Sequence, residues 1–144
     1  MSKLKRLPDW DVLLTAEIER TWTLPYSWGE CDCALWTCNM VKIQTGSDLA
    51  AWFRGRYHDE DGAKKAIALF TGGGNLENVA ERLAREWEIP EHAATRQAHR
   101  GDVVCMDSPE GPTLGIALNE WALFAGPLGR VRAPLGWCRR AWSI

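Results

Sequence analysis

The sequence predicts an α+β fold in which N-terminal helices pack on a C-terminal antiparallel sheet. Before Gly101, apolar residues recur at helical spacing, whereas after it short apolar runs are separated by turn residues. Helices followed by a meander of strands are typical of the α+β class. The 144 residues suffice for one hydrophobic core, and no repeat or linker divides them. We therefore expect a single domain over residues 1–144.

Four helices are predicted before Gly101 from apolar spacing and capping signals. In the second, Asp32 can cap the first turn and Gly46 can end the helix. The segment "SDLAAWF" is predicted to form one short helical turn or two. The predicted helices begin near Trp10, Cys33, Asp61 and Leu76.

Five strands are predicted after Gly101. "DVVCM" at 102–106 is a buried strand, and "TLGIALN" at 113–119 is a second. "PEGP" is a turn between these two strands, and from the motif order and the apolar texture we expect 102–106 and 113–119 to pair in one sheet. "WALFA" follows "TLGIALN" almost without a loop, so "TLGIALN" and "WALFA" can form a hairpin. "GRVRAP" and the terminal "CRRAWSI" are typical of further strands.

Bulk composition excludes several classes of partner. The net charge of −2 gives no sign of a nucleic-acid surface. No segment approaches about 18 uncharged apolar residues, so we expect no membrane span. The five cysteines are an odd number, which indicates reduced thiols in a cytosolic environment rather than a disulfide framework.

The nine tryptophans are unusual for a domain of this size. Tryptophan is a large amphipathic residue that is favoured in cores and at interfaces. One interpretation is a core rich in tryptophan; the other is that some of the indoles contact a partner. The candidates for partner contact are Trp52, Trp121 and Trp142.

Cys33 is the candidate nucleophile. It would be the first helical residue after Asp32, where free N–H groups and the helix dipole favour a thiolate. A cysteine hydrolase also needs a base, normally histidine. His99 is the best candidate because it lies just before the Gly-Asp strand. His92 and His99 are both expected to be solvated in a polar connector, and His58 is expected in a loop. Cys33 as a small residue buried at a helix start is the simpler interpretation.

The spacing of Cys31, Cys33 and Cys38 raises the possibility of a metal site, completed by Cys105 or Cys138. Cys33 and Cys38 are five positions apart on one predicted helix, so their side chains point about 140° apart. This divergence disfavours the binding of one ion by both thiols. We therefore expect no metal and no cofactor.

The segment "RGRYHDEDG" at 54–62 has two interpretations. It can be a solvated loop, or it can bind a partner through Arg54, Arg56 and Tyr57, since arginine and tyrosine are common interface anchors.

Three motifs in order resemble the NlpC-type cell-wall peptidases, a branch of the papain-like fold. They are Asp32-Cys33 at a helix start, "GDVV" at 101–104 and "TLGI" at 113–116. The resemblance implies a papain-like, NlpC-type fold with the nucleophile at Cys33. It also implies a catalytic histidine at the position of Thr113, so the site would be degenerate.

A wider resemblance covers nearly the whole chain. "YSWGECDCALW", "TGSDLAAWFRGRY", "RGDVV", "LGIAL" and "RRAWSI" are similar to small proteins encoded in the tail-gene clusters of long-tailed phages. The resemblance implies a structural protein of the tail tip or hub, present in the virion and in the host cytoplasm during assembly. Its partners would be other tail proteins. The alternative is a cysteine hydrolase that cleaves peptidoglycan peptide crosslinks during phage entry.

Overall fold

The computed structural model describes residues 2–144 as four helices followed by a five-stranded antiparallel sheet. This confirms the predicted α+β class and the order of its two parts. The elements are α1 (Trp10–Thr21), α2 (Cys33–Thr45), α3 (Glu60–Thr71), α4 (Leu76–Glu86), β1 (Val103–Ser108), β2 (Gly111–Leu118), β3 (Trp121–Gly126), β4 (Gly129–Pro134) and β5 (Arg140–Trp142).

Helix α2 is the central helix, and both of its predicted caps are present. Asp32 Oδ1 accepts a 2.9 Å hydrogen bond from the Leu35 N–H, which satisfies one free donor of the first turn. Gly46 ends the helix in the left-handed conformation, with φ of 78°. Between these caps the apolar side chains Leu35, Trp36, Met40 and Val41 are buried. This burial fixes α2, and with it Cys33, against the sheet.

The sheet has the strand order β4-β3-β2-β1-β5. β1 and β2 pair in antiparallel register, with Val103 opposite Ile116. β2, β3 and β4 follow as successive hairpins. β5 returns to the free edge of β1, where Trp142 lies opposite Val103. The expected pairing of 102–106 with 113–119 and the expected hairpin at "WALFA" are therefore confirmed.

Both faces of the sheet are covered. On one face Cys105, Leu114 and Ile116 pack in the main core with the helices. On the other face Val104 and Phe124 pack in a second core beneath the segment that follows β4. That segment includes a short 3-10 turn at Leu135–Trp137. The alternation follows from the two-residue period of a strand.

The segment 47–58 contains turns and no helix, whereas one or two helical turns are expected from "SDLAAWF". Among residues 2–144, no helix combines the length and the apolar character that crossing a bilayer requires.

Candidate functional site

Cys33 lies at the first position of α2, near two hydroxyl groups. The hydroxyls of Tyr26 and Thr113 both act to lower the pKa of the thiol. Tyr26 comes from the coil before α2, and Thr113 comes from β2. Packing of α2 on the sheet therefore brings together Cys33 and Thr113, which the motif comparison had placed in one site.

Burial raises the pKa of the Cys33 thiol above its usual value, and the negative charge of Asp32 raises it further. The hydroxyls of Thr113 and Tyr26 and the Ala34 N–H act in the opposite direction, with smaller effects. The helix start favours the thiolate, as expected, but the capping carboxylate and the loss of water outweigh it, so the pKa of Cys33 is raised overall.

Asp32 is a buried carboxylate whose two oxygens are both occupied. Oδ1 caps α2, and Oδ2 accepts hydrogen bonds from the Tyr57 hydroxyl at 2.7 Å and the Gly29 N–H at 3.0 Å. Burial and the adjacent Asp32 raise the pKa of Tyr57. Tyr57 is thus buried against the start of α2, which corrects its assignment as a partner-binding residue.

No imidazole acts on the Cys33 thiol among the residues that the structure describes. His92 and His99 both face a different carboxylate, that of Asp102. His58 is exposed in the loop before α3. The polar neighbours of Cys33 are therefore a carboxylate, two hydroxyls and a backbone amide.

Asp102 forms a second polar cluster, at the start of β1. Its Oδ2 lies 2.8 Å from His92 Nε2 and accepts a 2.8 Å hydrogen bond from the His99 N–H. Its Oδ1 accepts from the Ile144 N–H at 3.0 Å and from Arg6 Nη2 at 3.3 Å. His92 is mostly buried, so the expectation that it is solvated is wrong. The sequence signal for this cluster was a polar connector with two histidines that ends at Gly101-Asp102.

The cysteines do not form a metal site. Among residues 2–144, the side chains close enough to share an ion are His92, His99 and Asp102. The alternative ligand set of Cys31, Cys33 and Cys38 is therefore wrong. Its cysteines have different environments: Cys31 Sγ accepts from Arg130 Nη2, whereas Cys38 is buried in the core.

One comparison with known proteins identifies a family. The family model described as Domain of unknown function (DUF6950) matches residues 5–144. The chain belongs to the DUF6950 family. Neither a curated protein nor a solved structure matches it. In this DUF6950 chain the Cys33 site and the Asp102 cluster both lie within the matched region.

The other proposed partner-binding residues have mixed positions in the DUF6950 domain. Arg54 pairs with Asp48 at 2.7 Å, and Arg56 stacks on the ring of Trp52 at 4.0 Å. Trp142 is only 3% exposed and packs in the core, because β5 pairs with the outer edge of β1. Trp142 is therefore not available to a partner, which corrects that expectation.

Three indoles are exposed, and one of them stacks with an arginine on the sheet. Trp22, Trp121 and Trp137 are 51%, 41% and 68% exposed. We define the hairpin surface as Trp121 and Arg132, exposed residues on the same face of the β3–β4 hairpin. The Arg132 guanidinium stacks on the Trp121 ring at 4.5 Å. β4 is an edge strand, so its outer backbone groups are open to pairing.

Proposed function

We propose that the chain is a structural protein of a phage tail tip or hub. Its fold would be a papain-like, NlpC-type fold that has lost peptidase activity and acts in docking. The observation that carries this proposal is the environment of Cys33, where a hydroxyl stands in place of a general base. The order of the three motifs and the resemblance to tail-cluster proteins support the same interpretation.

The chemistry of Cys33 disfavours hydrolysis. A cysteine hydrolase needs a thiolate, a base that receives the thiol proton, and donors that hold the oxyanion. Burial and Asp32 raise the pKa of Cys33, so the neutral thiol is favoured. The hydroxyls of Thr113 and Tyr26 cannot act as bases near neutral pH. A neutral thiol near two hydroxyls is a packing arrangement rather than an active site.

The hairpin surface supports the docking part of the proposal. Interfaces are enriched in tryptophan and arginine, and Trp121 and Arg132 present both residue types in a preformed stack. Leu128 in the hairpin turn and Val131 on the opposite face of β4 are further exposed apolar residues of this edge hairpin. Such a surface suits another tail-tip or hub protein. Peptidoglycan would be the binding target only if the chain were a hydrolase.

The test combines genetics and an activity assay. In a phage that encodes the chain, Cys33→Ser should leave tail assembly and infectivity nearly unchanged, and the protein should be found by mass spectrometry in purified particles. The purified wild-type protein should not cleave murein peptides. Thr113→His should not restore cleavage, because a histidine alone does not provide the orienting residue and the oxyanion donors.

Two results would overturn the proposal. The first is turnover of a murein peptide by the wild-type protein that disappears in Cys33→Ser, which would establish the hydrolase. The second is a complete absence of the chain from both mature particles and tail-assembly intermediates, which would remove the structural role.

A further inference from the structure

The cluster around Asp102 brings together two imidazoles and one carboxylate. One ligand atom from each of His92, His99 and Asp102 lies within 4.8 Å of the other two. Asp102 Oδ2 lies 2.8 Å from His92 Nε2 and 3.9 Å from His99 Nδ1. This group belongs to neither the Cys33 site nor the hairpin surface, and it has its own opening to solvent.

We propose that His92, His99 and Asp102 bind a divalent transition metal of the zinc type. Imidazole nitrogen with carboxylate oxygen is a donor set that suits Zn²⁺ and its first-row neighbours. The ligands would be His92 Nε2, His99 Nδ1 and Asp102 Oδ2. Three protein ligands leave further coordination positions for water or an external ligand.

The distances fit such an ion after small movements of the two histidines. Metal–ligand bonds of about 2.0–2.2 Å at tetrahedral angles place adjacent ligand atoms roughly 3.4 Å apart. His92 Nε2 lies 2.8 Å from Asp102 Oδ2 and must move away by about 0.6 Å. His99 Nδ1 lies 3.9 Å from Asp102 Oδ2 and must approach by about 0.5 Å. The His99 side chain is 80% exposed, so a change of rotamer can make this approach without repacking the core.

The carboxylate is held in place from the other side. Asp102 is buried, and its Oδ1 is fixed by the Ile144 N–H and by Arg6 Nη2. These contacts leave Oδ2 directed at the two histidines. The positive charge of Arg6 repels a bound cation and so lowers the affinity of the site for metal. The fixed position of the Asp102 carboxylate has the opposite effect, because less conformational entropy is lost on binding.

An open groove lies beside the histidines. It has a volume of about 590 Å³ and is lined by His92, His99, Glu91, Arg96 and Gln97 among others. A metal bound to the two imidazoles would face this groove, so water or a ligand atom from a partner could complete the coordination. The inference does not rest on the proposed tail function and can be tested on the isolated protein.

The experiment is a titration of the reduced full-length protein with Co²⁺ and Zn²⁺, followed by calorimetry and by the visible absorption of Co²⁺. We expect one saturable site for each metal. His99→Ala should weaken binding at least tenfold and leave the circular dichroism spectrum unchanged, because His99 is exposed. His58→Ala is the matched control, since it removes an exposed histidine elsewhere, and it should bind as the wild type does.

Thiols need a separate control because they also bind Zn²⁺. The double variant Cys31→Ser/Cys33→Ser should retain wild-type affinity. The inference is overturned by an absence of saturable binding, by unchanged affinity in His99→Ala, or by loss of binding in the cysteine double variant. His92→Gln supplies an independent check, and it should weaken binding at least as much as His99→Ala.

Discussion

The Tyr57 hydroxyl donates a 2.7 Å hydrogen bond to Asp32 Oδ2 inside the protein. The other oxygen of the same carboxylate caps α2 through the Leu35 N–H. One side chain therefore joins the loop before α3 to the start of the central helix. Cys33 is the next residue, and the negative charge of the same carboxylate raises the pKa of its thiol.

Tyr57→Phe should lower the free energy of unfolding by about 1–3 kcal/mol, because it leaves a buried carboxylate without one of its donors. The measurement is urea unfolding followed by circular dichroism. Tyr26→Phe is the matched control, since the Tyr26 hydroxyl faces a neutral thiol rather than a carboxylate, and it should cost less. An equal or larger loss in Tyr26→Phe would contradict the role assigned to the Tyr57–Asp32 pair.

Gly115→Ala should destabilise the sheet by about 1–3 kcal/mol through overpacking. A Cβ at Gly115 would lie 2.5 Å from both the Leu123 carbonyl oxygen and the Phe124 ring. The backbone of β3 cannot move away without disturbing its pairing with β2. Gly136→Ala is the control, because a Cβ there meets no atom within 4 Å, and it should leave the unfolding midpoint nearly unchanged. Equal midpoints for the two variants would refute the packing argument.

Buried thiols should make the protein less stable at alkaline pH. Burial raises the pKa of Cys38 and Cys105 to about 12 and that of Cys138 to about 11. In the unfolded chain the same thiols have a pKa of about 8.5. Above that pH the unfolded state therefore binds fewer protons than the native state does. Stability therefore falls as the pH rises from about 8.5, by about 1–2 kcal/mol per thiol between pH 8 and pH 10.

This pH dependence is measured by denaturant unfolding in a reducing buffer at pH 8 and pH 10. Cys138→Ala should be less stable than the wild type at pH 8, yet lose less of its remaining stability on going to pH 10. The difference should equal the contribution of one thiol. If the variant and the wild type lose the same free energy of unfolding between pH 8 and pH 10, burial does not raise the pKa of Cys138.

The helices and strands were predictable because their signals are local. The spacing of apolar residues, the Asp32 cap, the Gly46 stop and the turn before Thr113 each act over a few residues. The pairing of β1 with β2 was expected from the order of the motifs and the apolar character of both segments. These features also located Cys33 at a helix start.

The contacts that define the two polar sites were not predictable from local signals. Tyr57 lies among charged residues, and only tertiary packing shows that its hydroxyl is buried on Asp32. His92 lies in a polar connector, and its contact with Asp102 depends on the path of the chain into β1. Trp142 is buried because β5 pairs with β1, a long-range contact that no short pattern encodes. The raised pKa of Cys33 likewise reflects burial rather than its position on the helix.

Cys33 should be alkylated by iodoacetamide more slowly than a cysteine in an unstructured peptide at pH 8. The reason is its raised pKa, which lowers the fraction of reactive thiolate. Thr113→Val should slow the reaction further, because it removes a hydroxyl that favours the thiolate. The rates are measured by mass spectrometry of the Cys33 peptide after timed quenching. A wild-type rate above that of the free peptide would show that the helix start favours the Cys33 thiolate more strongly than burial and Asp32 disfavour it.

Trp121→Ala should reduce incorporation of the protein into tail particles while leaving its folding intact. Trp121 is 41% exposed and stacks on Arg132 at the surface, outside both hydrophobic cores, so its loss should leave the fold intact. At an interface the same truncation of a tryptophan anchor typically costs about 2 kcal/mol or more, which is roughly a thirtyfold loss of affinity. The readout is quantitative mass spectrometry of purified particles, with the thermal midpoint of the isolated protein measured in parallel.

Trp22→Ala is the matched control for that experiment, since Trp22 is at least as exposed but lies outside the hairpin surface. If the β3–β4 hairpin is the docking element, Trp22→Ala should be incorporated as the wild type is. Equal incorporation of wild type, Trp22→Ala and Trp121→Ala would rule out the hairpin surface as the anchor. Loss in Trp22→Ala alone would move the contact to the end of α1, where Arg130 reaches the Leu24 carbonyl at 2.9 Å and joins that segment to β4.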